Sequence, residues 1–371
     1  EVVGDAETYK LQVVLGVVEE GADGQAKLKQ YGFRLGEEYF YPASSVKMFA
    51  AVAALEQLDT LRRQTGLPID ADTPLTYFPL FAGEVVESAD PSHLEGGTIT
   101  VRHEIRKLFL VSDNQAFNRL YELVGQDRLA RSLRRAGLGK ARIVHRLSEA
   151  RTAEENRRYP KIEARGEGFV YVLPERTSEP LPEAEPIPGL QVGEGYMEGE
   201  EKVEAPFDFT AKNRVALRDL QRGLCKIVRP EVDCGGRPFR LTEEDRAILL
   251  EALHQLPRES EDPRYDPAEY PDDYVKAFLP GVARIIPPER LQIYNKIGQA
   301  YGFETENAWI VDTGTGRGFF LAATLYVNED GILNDDHYEY EAVAQPFLAD
   351  LAEAAARHFW AGSAAEASRA R

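Results

Sequence analysis

The sequence predicts an α/β fold in which strands from the two ends of the chain share a sheet and helices fill most of the stretch between them. Residues 9–20 and 30–41 are rich in β-branched and aromatic side chains, and similar runs return between residues 291 and 328. The chain has 371 residues, of which 43% are hydrophobic, so it is globular and can bury a large core.

The two N-terminal runs, 9–20 and 30–41, predict a β-hairpin. The segment Gly-Ala-Asp-Gly at residues 21–24 supplies turn-forming residues between them. Residues 1–43 are therefore assigned to the sheet.

The C-terminal part predicts the rest of the sheet and a helix beside it. Residues 291–303 and 307–328 indicate about three more strands, with the cluster Gly314-Thr315-Gly316 as a turn. The segment 341–359 has helical periodicity, which places a set of apolar residues on one face. These residues are Val343, Phe347, Leu348, Leu351, Ala354 and Ala355. The predicted sheet domain thus comprises residues 1–43 and 287–371.

Residues 44–286 are predicted to form a mainly helical domain. Its helical patterns occur at 45–62, 101–111, 115–124, 126–136, 210–228 and 242–255. An irregular insertion at about 149–206 is rich in Glu, Pro and Gly. A loop of that length in a compact domain is usually functional or mobile.

Composition limits the partners of the chain. The net charge of −18, from 44 basic and 62 acidic residues, argues against binding nucleic acid or an anionic membrane through bulk charge. No apolar run has the length of a transmembrane helix. The two cysteines, Cys225 and Cys234, are close enough in sequence for a disulfide, and two separate thiols are equally compatible with the sequence. Neither has a His or Cys partner at ligand spacing, so no metal site is expected.

The segment Ser44-Ser45-Val46-Lys47 lies where an extended stretch gives way to a helical one. Ser44 is predicted at a helix N-terminus, with Lys47 one turn later on the same face. A serine hydroxyl becomes nucleophilic when a nearby base takes its proton, and a lysine of lowered pKa can be that base. The first-turn N–H groups can also help to hold an oxyanion. The alternative interpretation is a capping serine followed by a solvated lysine.

Two further segments complete an ordered set of motifs. Ser112-Asp113-Asn114 opens the predicted helix at 115–124, and Lys296-Ile297-Gly298 lies in the strand-like segment 291–303. Together with Ser-x-x-Lys, this order resembles the serine β-lactamase and penicillin-binding-protein superfamily, and class A β-lactamases most closely. The resemblance covers most of the chain. It implies an antiparallel sheet flanked by helices, with an inserted helical domain and a site at their junction.

The resemblance also implies a role for each residue of the first two motifs. Ser44 would be the nucleophile that accepts the acyl group, and Lys47 would act as its base or tune its proton network. Ser112 would relay a proton to the leaving nitrogen. Asn114 would bind the acyl-amide side chain of the substrate, and Asp113 would hold the backbone in place.

The third motif would bind the substrate. Lys296 would attract its carboxylate from the strand that carries Gly298, and the backbone N–H of Gln299 would join that of Ser44 as an oxyanion donor. Outside this resemblance the motif residues have ordinary interpretations. Ser112 would be a helix cap, Asn114 a turn residue and Lys296 an exposed strand lysine.

Two departures from the family pattern bear on activity. Ile297 stands where the third motif normally has Thr or Ser, so a hydroxyl that binds carboxylate is missing. One hydrogen bond to a charged group is worth roughly 1.5–3 kcal/mol. The Glu-x-x-x-Asn pattern that supplies the deacylating base of class A enzymes is also absent. Glu149, Glu154 and Glu155 are candidates for that base, and a solvated acidic loop is the alternative interpretation.

Three functions fit these observations. The first is a class A β-lactamase-like serine hydrolase that acts on β-lactams or related amides and esters, with slow deacylation. The second is a penicillin-binding D-Ala-D-Ala peptidase-like acyl-transferase, and the third is a non-catalytic ligand-binding relative. All three imply a small-molecule β-lactam or peptidoglycan-like ligand and no cofactor. We expect a periplasmic or secreted protein whose export signal has been removed.

Overall fold

The structure is a computed structural model that describes residues 1–21 and 24–361. Ala22 and Asp23 of the predicted hairpin turn, and residues 362–371 of the predicted sheet domain, lie outside the described residues.

Helices and short strands make up most of the described chain. The α-helices are α1 Lys47–Thr65, α2 Val101–Leu110, α3 Asn114–Val124, α4 Gln126–Arg135, α5 Leu217–Val228, α6 Glu243–His254, α7 Leu279–Val282 and α8 Gln345–Ala356. The strands are β1 Gln12–Glu20, β2 Ala26–Phe33, β3 Leu75–Tyr77, β4 Arg158–Tyr159, β5 Ile162–Gly166, β6 Phe169–Leu173, β7 Arg176–Thr177, β8 Gln191–Val192, β9 Gly195–Glu198, β10 Glu201–Val203, β11 Phe207–Asp208, β12 Leu291–Asn295, β13 Gly298–Ala300, β14 Phe303–Asp312, β15 Arg317–Tyr326 and β16 Ile332–Leu333.

The described chain divides into two compact units. The sheet unit contains residues 1–45, 185–235 and 273–361, and the helical unit contains residues 46–184 and 236–272. The sequence-based boundaries differ from this division, because they assign 185–235 and 273–286 to the helical domain. The irregular insertion is itself divided, since its first part belongs to the helical unit and its last part to the sheet unit.

The sheet unit is built on one antiparallel sheet whose strands differ in length. Its order is β12-β14-β15-β1-β2, and β13 also pairs with β14. Strands from both ends of the chain therefore share the sheet, as the sequence predicts. The N-terminal hairpin pairs Val13 with Phe33 and Glu20 with Ala26, so β2 ends before the predicted limit at residue 41.

Helices cover both faces of this sheet. On one face, α7 and α8 bury an apolar core with alternate residues of β14 and β15, among them Ile310, Phe319 and Leu321. On the other face, α5 contacts the sheet through polar groups: Asn307 Nδ2 donates to the Leu220 carbonyl at 3.1 Å. Alternation along a strand gives each face its own set of side chains.

A disulfide joins Cys225 on α5 to Cys234 in the following turn, with the two Cα atoms 6.1 Å apart. The structure thus selects one of the two states that the sequence allows. Residue 233 also pairs with β2, because the amide of Leu28 donates to the Asp233 carbonyl at 3.0 Å. The disulfide therefore closes a short loop, and a hydrogen bond holds this loop to β2 at the edge of the sheet.

The helical unit surrounds α1, which is buried along most of its length. Its neighbours are α2, α3, α4 and α6. A helix that is apolar on nearly all sides belongs in the centre of a domain. Its buried Glu56 accepts a hydrogen bond from Ser132 Oγ at 2.6 Å and from the Arg240 amide at 2.7 Å, so the charge is not isolated.

The structure corrects two local predictions. Residues 291–303 do not form one continuous strand, because β12 ends at Asn295 and β13 begins at Gly298. Both pieces pair with β14 in the same register, so the interruption is a local gap and not a shift. The helix predicted at 45–62 begins as an α-helix only at Lys47, after a 3-10 turn over Ala43–Val46. Among the described residues, no helix is both long and apolar enough to cross a bilayer.

Candidate active site

The sheet unit carries Ser44 in the 3-10 turn Ala43–Val46. Ala43 has a φ of 44°, a left-handed conformation that costs a non-glycine residue about 1–3 kcal/mol. Ser45 is buried and donates its hydroxyl to the Pro42 carbonyl at 2.6 Å, whereas Ser44 is only half-buried. Of the two neighbouring serines, Ser44 is the less buried, and it is not a helix cap, because Val46 is the residue at the cap position.

Gly298 lies directly against the backbone of this turn. A Cβ atom at residue 298 would lie 2.6 Å from the amide nitrogen of Ser45 and 3.0 Å from that of Ser44, and it would overlap the Pro42 carbonyl. These are backbone atoms, so they cannot move aside as a flexible side chain could. Only glycine allows β13 to approach the Ser44 turn this closely. The approach explains why the third motif needs glycine at this position.

Lys296 is almost fully buried in the gap between β12 and β13. Its Nζ donates to the Ile297 carbonyl at 2.8 Å, and its amide donates to Asn307 in β14 at 3.1 Å. The interpretation as an exposed edge lysine is therefore wrong. Ile297 beside it packs into the apolar core of the sheet unit.

Burial lowers the pKa of Lys296 to about 7; the Glu306 carboxylate opposes this shift and the Lys276 ammonium adds to it. Glu306 is itself buried, and Asn295 joins it to Lys276. Asn295 Nδ2 donates to Glu306 Oε1 at 2.6 Å, while Asn295 Oδ1 accepts from Lys276 Nζ at 2.6 Å. A protonated Lys296 therefore has a partly compensated charge, and it loses its proton near neutral pH.

Gln299 on β13 is exposed, and its side-chain amide lies 3.3 Å from Glu304 Oε2. Burial raises the pKa of Glu304 to about 7, a shift that the Gln299 amide opposes. Tyr301 follows this strand and packs edge-on against Tyr41, with ring centroids 5.1 Å apart. Phe209, from the segment after the insertion, contacts both tyrosine rings. An aromatic cluster thus joins the segment before Ser44 to the segment after Gln299.

The helical unit brings Lys47, Ser112 and Asn114 together. Lys47 is fully buried at the start of α1. Its Nζ lies 2.6 Å from Asn114 Oδ1 and 3.4 Å from Ser112 Oγ, and it also donates to the Ser112 carbonyl. Residues about one-sixth of the chain apart therefore form one polar cluster around an amine. The interpretation of Lys47 as a solvated lysine is wrong.

The loop between α2 and α3 holds Ser112 in an uncommon backbone conformation, with a φ of 57°. Asp113, and not Ser112, caps α3: its Oδ1 accepts from the Ala116 amide at 2.7 Å. Asp113 therefore holds backbone in place, as the sequence predicts. Ser112 and the side chain of Asn114 are left to face Lys47.

A loop after α4 contacts the same cluster. Asn114 Nδ2 donates to Ser148 Oγ at 2.7 Å. Asn118, one helical turn further along α3, binds both backbone groups of Leu147, at 3.0 Å and 2.9 Å. Sequence reasoning does not identify Ser148.

The three candidate carboxylates for deacylation lie in or just after this loop. Two of them are hydrogen-bonded to the loop or to α3, and the third is exposed. Glu149 Oε1 accepts from Asn118 at 3.0 Å, and its Oε2 lies 3.3 Å from Arg151. Glu155 accepts from the Thr152 amide at 2.8 Å, and the hydrogen bonds from Thr152 lower its pKa. Glu154 is exposed beside the same turn. Ser44 and Lys296 belong to the sheet unit and Lys47 and Ser112 to the helical unit, so their convergence stays a prediction.

Comparison with known proteins shows what part of the chain and its fold are similar to. Residues 29–166, which include the first two motifs, match the model of the "Beta-lactamase enzyme family". No curated protein shows a significant match. The fold is that of a β-lactamase: the β-lactamase from Desulfarculus baarsii aligns at a TM-score of 0.51 and 16% identity, covering 97% of this chain and 95% of that chain.

Two other solved structures are similar at lower scores. The β-lactamase from Streptomyces albus G has a TM-score of 0.49 and 17% identity, covering 96% of each chain. That from Burkholderia ambifaria has a TM-score of 0.49 and 16% identity, covering 95% of this chain and 94% of that chain. The family match over residues 29–166 and the shared fold show that the chain resembles β-lactamases.

Proposed function

We propose that this protein is a class A β-lactamase-like serine hydrolase that is acylated at Ser44 and releases the acyl group slowly. The observation that carries the proposal is the buried Lys47 amine with the Ser112 hydroxyl 3.4 Å away. A lysine that faces a serine hydroxyl can pass protons between a nucleophile and a leaving group.

In the proposed reaction, Ser44 Oγ forms a bond to the carbonyl carbon of a β-lactam. The ring C–N bond breaks, and the hydroxyl proton passes through Lys47 and Ser112 to the ring nitrogen. The amides of Ser44 and Gln299 would hold the oxyanion. The tight approach of Gly298 to the Ser44 turn supports this role, because it brings the two backbone segments together.

Substrate binding is assigned to Asn114 and Lys296. Asn114 would bind the acyl-amide group of the substrate, and protonated Lys296 would attract a carboxylate. Ile297 supplies no hydroxyl for that carboxylate, and its side chain packs in the core. We therefore expect anionic β-lactams to bind less well than they would with Thr at this position.

Slow deacylation follows from the loop that contains the candidate bases. Glu149 and Glu155 are already hydrogen-bonded to their own loop or to α3. A water that attacks the acyl-enzyme needs a carboxylate that can take its proton, and such help is worth about 10²–10⁴-fold in rate. This feature equally favours a second function, a D-Ala-D-Ala peptidase-like acyl-transferase, which needs no such base.

One experiment separates these functions. The protein is incubated with a chromogenic cephalosporin and, separately, with an acyl-D-Ala-D-Ala peptide, and adducts are mapped by peptide mass spectrometry. A Ser44 adduct with slow cephalosporin hydrolysis and an intact peptide supports the hydrolase. Cleavage of the peptide supports the acyl-transferase, and the absence of any Ser44 adduct contradicts both.

Export to the periplasm or medium is part of the proposal. The disulfide between Cys225 and Cys234 supports it, because disulfides persist in oxidising compartments. Alkylation of cysteines in cells before lysis would test the proposal. Protected cysteines agree with export, and two modified thiols contradict it.

A further inference from the structure

A cluster in the helical unit combines two imidazoles and a carboxylate from three separate segments. His93 lies in the loop before α2, His103 lies on α2, and Asp262 lies after α6. His93 Nε2 lies 3.3 Å from Asp262 Oδ2, and His103 Nδ1 lies 4.0 Å from Asp262 Oδ1. One potential ligand atom from each side chain falls within 4.8 Å of the other two. No step of the proposed reaction uses these three residues.

The hydrogen bond on the far side of the His93 ring determines which nitrogen carries its proton. His93 Nδ1 contacts the Thr98 carbonyl, which can only accept a hydrogen bond. The proton of a neutral His93 ring therefore lies on Nδ1. Its Nε2 presents a lone pair to Asp262.

A chain of hydrogen bonds likewise determines which nitrogen of the His103 ring carries the proton. Asp90 accepts from Lys107 at 2.8 Å and from Arg119 at 3.0 Å, so it is an acceptor in this network. Ser92 Oγ lies 2.6 Å from the other Asp90 oxygen and must donate to it. Ser92 Oγ therefore accepts from His103 Nε2 at 3.0 Å. The remaining nitrogen, Nδ1, presents a lone pair toward Asp262.

Two imidazole lone pairs thus face one carboxylate. The Leu94 amide donates to Asp262 Oδ1 at 2.7 Å, which satisfies only part of that carboxylate. Three electron-rich atoms directed at each other form a site that a cation stabilises. His93 and Asp262 are each only partly buried, so an ion from solvent can reach the cluster.

We propose that His93 Nε2, His103 Nδ1 and Asp262 bind one divalent transition-metal ion of the zinc type. Zinc takes imidazole nitrogen and carboxylate oxygen at about 2.0–2.2 Å, so neighbouring ligand atoms in a tetrahedral site lie about 3.3–3.5 Å apart. The separation between His93 Nε2 and Asp262 Oδ2 already has this value, whereas His103 Nδ1 lies 4.0 Å from the other oxygen, Oδ1, and must move closer when the ion binds. A water molecule completes the coordination.

The surroundings of the cluster match those of known metal ligands. A ligating histidine usually donates its other ring N–H to a carbonyl, a carboxylate or a hydroxyl, which fixes the ring orientation. Thr98 provides this partner for His93, and Ser92 provides it for His103. The two rings are stacked, with centroids 4.4 Å apart and 13° between planes. Metal binding requires the more exposed His93 ring to turn out of this stack.

The ion would stabilise the part of the helical unit that carries the second motif. Asp90 joins the cluster to Lys107, and Lys107 Nζ lies 3.6 Å from Asp113. The Asp113 amide also donates to the Lys107 carbonyl at 3.3 Å. We therefore assign the ion a structural role, so the chemistry at Ser44 does not depend on it. Failure of the proposed hydrolase function leaves this inference unaffected.

Titration of the tag-free, EDTA-treated full chain with zinc chloride tests the inference. Isothermal titration calorimetry should give one zinc ion per chain, and the melting temperature should rise with zinc concentration. His93→Ala and Asp262→Asn should abolish both effects. His337→Ala is the matched control, because Asp330, Asp335 and His337 form an exposed group of similar ligand types. This control should leave zinc binding unchanged.

Three further measurements do not depend on variants that remove a ligand. Ser92→Ala should weaken zinc binding about 10–100-fold, as loss of a hydrogen bond to a metal ligand does. Cobalt chloride should give the visible absorption of a four-coordinate ion, and zinc should shift the His93 and His103 ring resonances in NMR spectra. Absence of stoichiometric zinc binding by the unmodified protein would overturn the proposal. Full binding by His93→Ala and Asp262→Asn, or loss of binding in His337→Ala, would also overturn it.

Discussion

Two neighbouring parts of the helical unit differ in what their polar side chains contact. Around Lys47, the amine lies within hydrogen-bonding distance of the Ser112 hydroxyl and of the Asn114 amide oxygen, and of these two groups only the hydroxyl can exchange a proton with it. In the loop that follows α4, Glu149 and Glu155 are bound to groups of the loop and of α3. The first arrangement fits the proposed proton transfer, and the second holds the loop in one conformation.

The difference separates the two halves of the proposed reaction. Acylation needs a nucleophile, a proton carrier and an oxyanion site, and residues of these types are present. Deacylation also needs a carboxylate next to a water molecule. Two of the candidate carboxylates, Glu149 and Glu155, act instead as partners for amides and a guanidinium group. On the proposed mechanism, the protein therefore forms an acyl-enzyme faster than it hydrolyses one.

Ser44→Ala should have the largest effect. The variant lacks the proposed nucleophile, so β-lactam and fluorophosphonate adducts should disappear from intact-protein mass spectra. Ser45→Ala is the control, because its hydroxyl is bound to the Pro42 carbonyl. We expect Ser45→Ala to lose about 1 kcal/mol of unfolding free energy and to keep its adduct. An undiminished adduct in Ser44→Ala would remove Ser44 from the reaction.

Lys47→Ala should slow acylation about 10²–10⁴-fold, since it removes the proposed proton carrier. The second-order rate constant for adduct formation measures this effect. Lys161→Ala is the control, because Lys161 lies in the same unit but is substantially exposed and paired with Glu163. Equal acylation rates for both variants would mean that Lys47 only fills space in the core.

The pH dependence of substrate binding should come from Lys296. The lysine is protonated below its pKa of about 7 and neutral above it. Binding of a carboxylate-bearing cephalosporin should therefore weaken as the pH rises, by up to about tenfold for each unit above the pKa. The methyl ester of the same compound is the control and should show no such trend. Parallel pH profiles for acid and ester, or an unchanged trend in Lys296→Gln, would contradict the assignment.

Ser148→Ala should have the smallest effect. It removes the acceptor for Asn114 Nδ2 and leaves the contact between Lys47 and Asn114 in place. One neutral hydrogen bond is worth about 0.5–1.5 kcal/mol, so acylation should fall roughly two- to tenfold. A much larger loss would indicate that Ser148 takes part directly in proton transfer.

Local patterns in the sequence predict the elements well where one physical signal dominates. The apolar periodicity of 115–124 and 126–136 matches α3 and α4 within one residue. The Gly314-Thr315-Gly316 turn connects β14 and β15 as predicted. The interruption at Lys296 is not visible in the sequence, because it depends on how closely Gly298 approaches the distant Ser44 turn.

Most of the site features that the sequence does not predict depend on contacts between residues that are far apart in the sequence. The motif resemblance identifies Lys47 and Asn114, but their 2.6 Å contact depends on the packing of α1 against α3. The sequence leaves Glu149 as a free candidate base, since nothing local shows that Asn118 and Arg151 bind it. The cluster of His93, His103 and Asp262 has no motif spacing, so only the fold reveals it.

Time-resolved intact-protein mass spectrometry after addition of a chromogenic cephalosporin tests slow deacylation most directly. We predict a burst of about one product molecule per protein, followed by a slow phase in which most of the protein carries the acyl group. The mass increase should map to Ser44 and decay only slowly after excess substrate is removed. Rapid multiple turnover with the protein found mainly in its unmodified form would contradict the account.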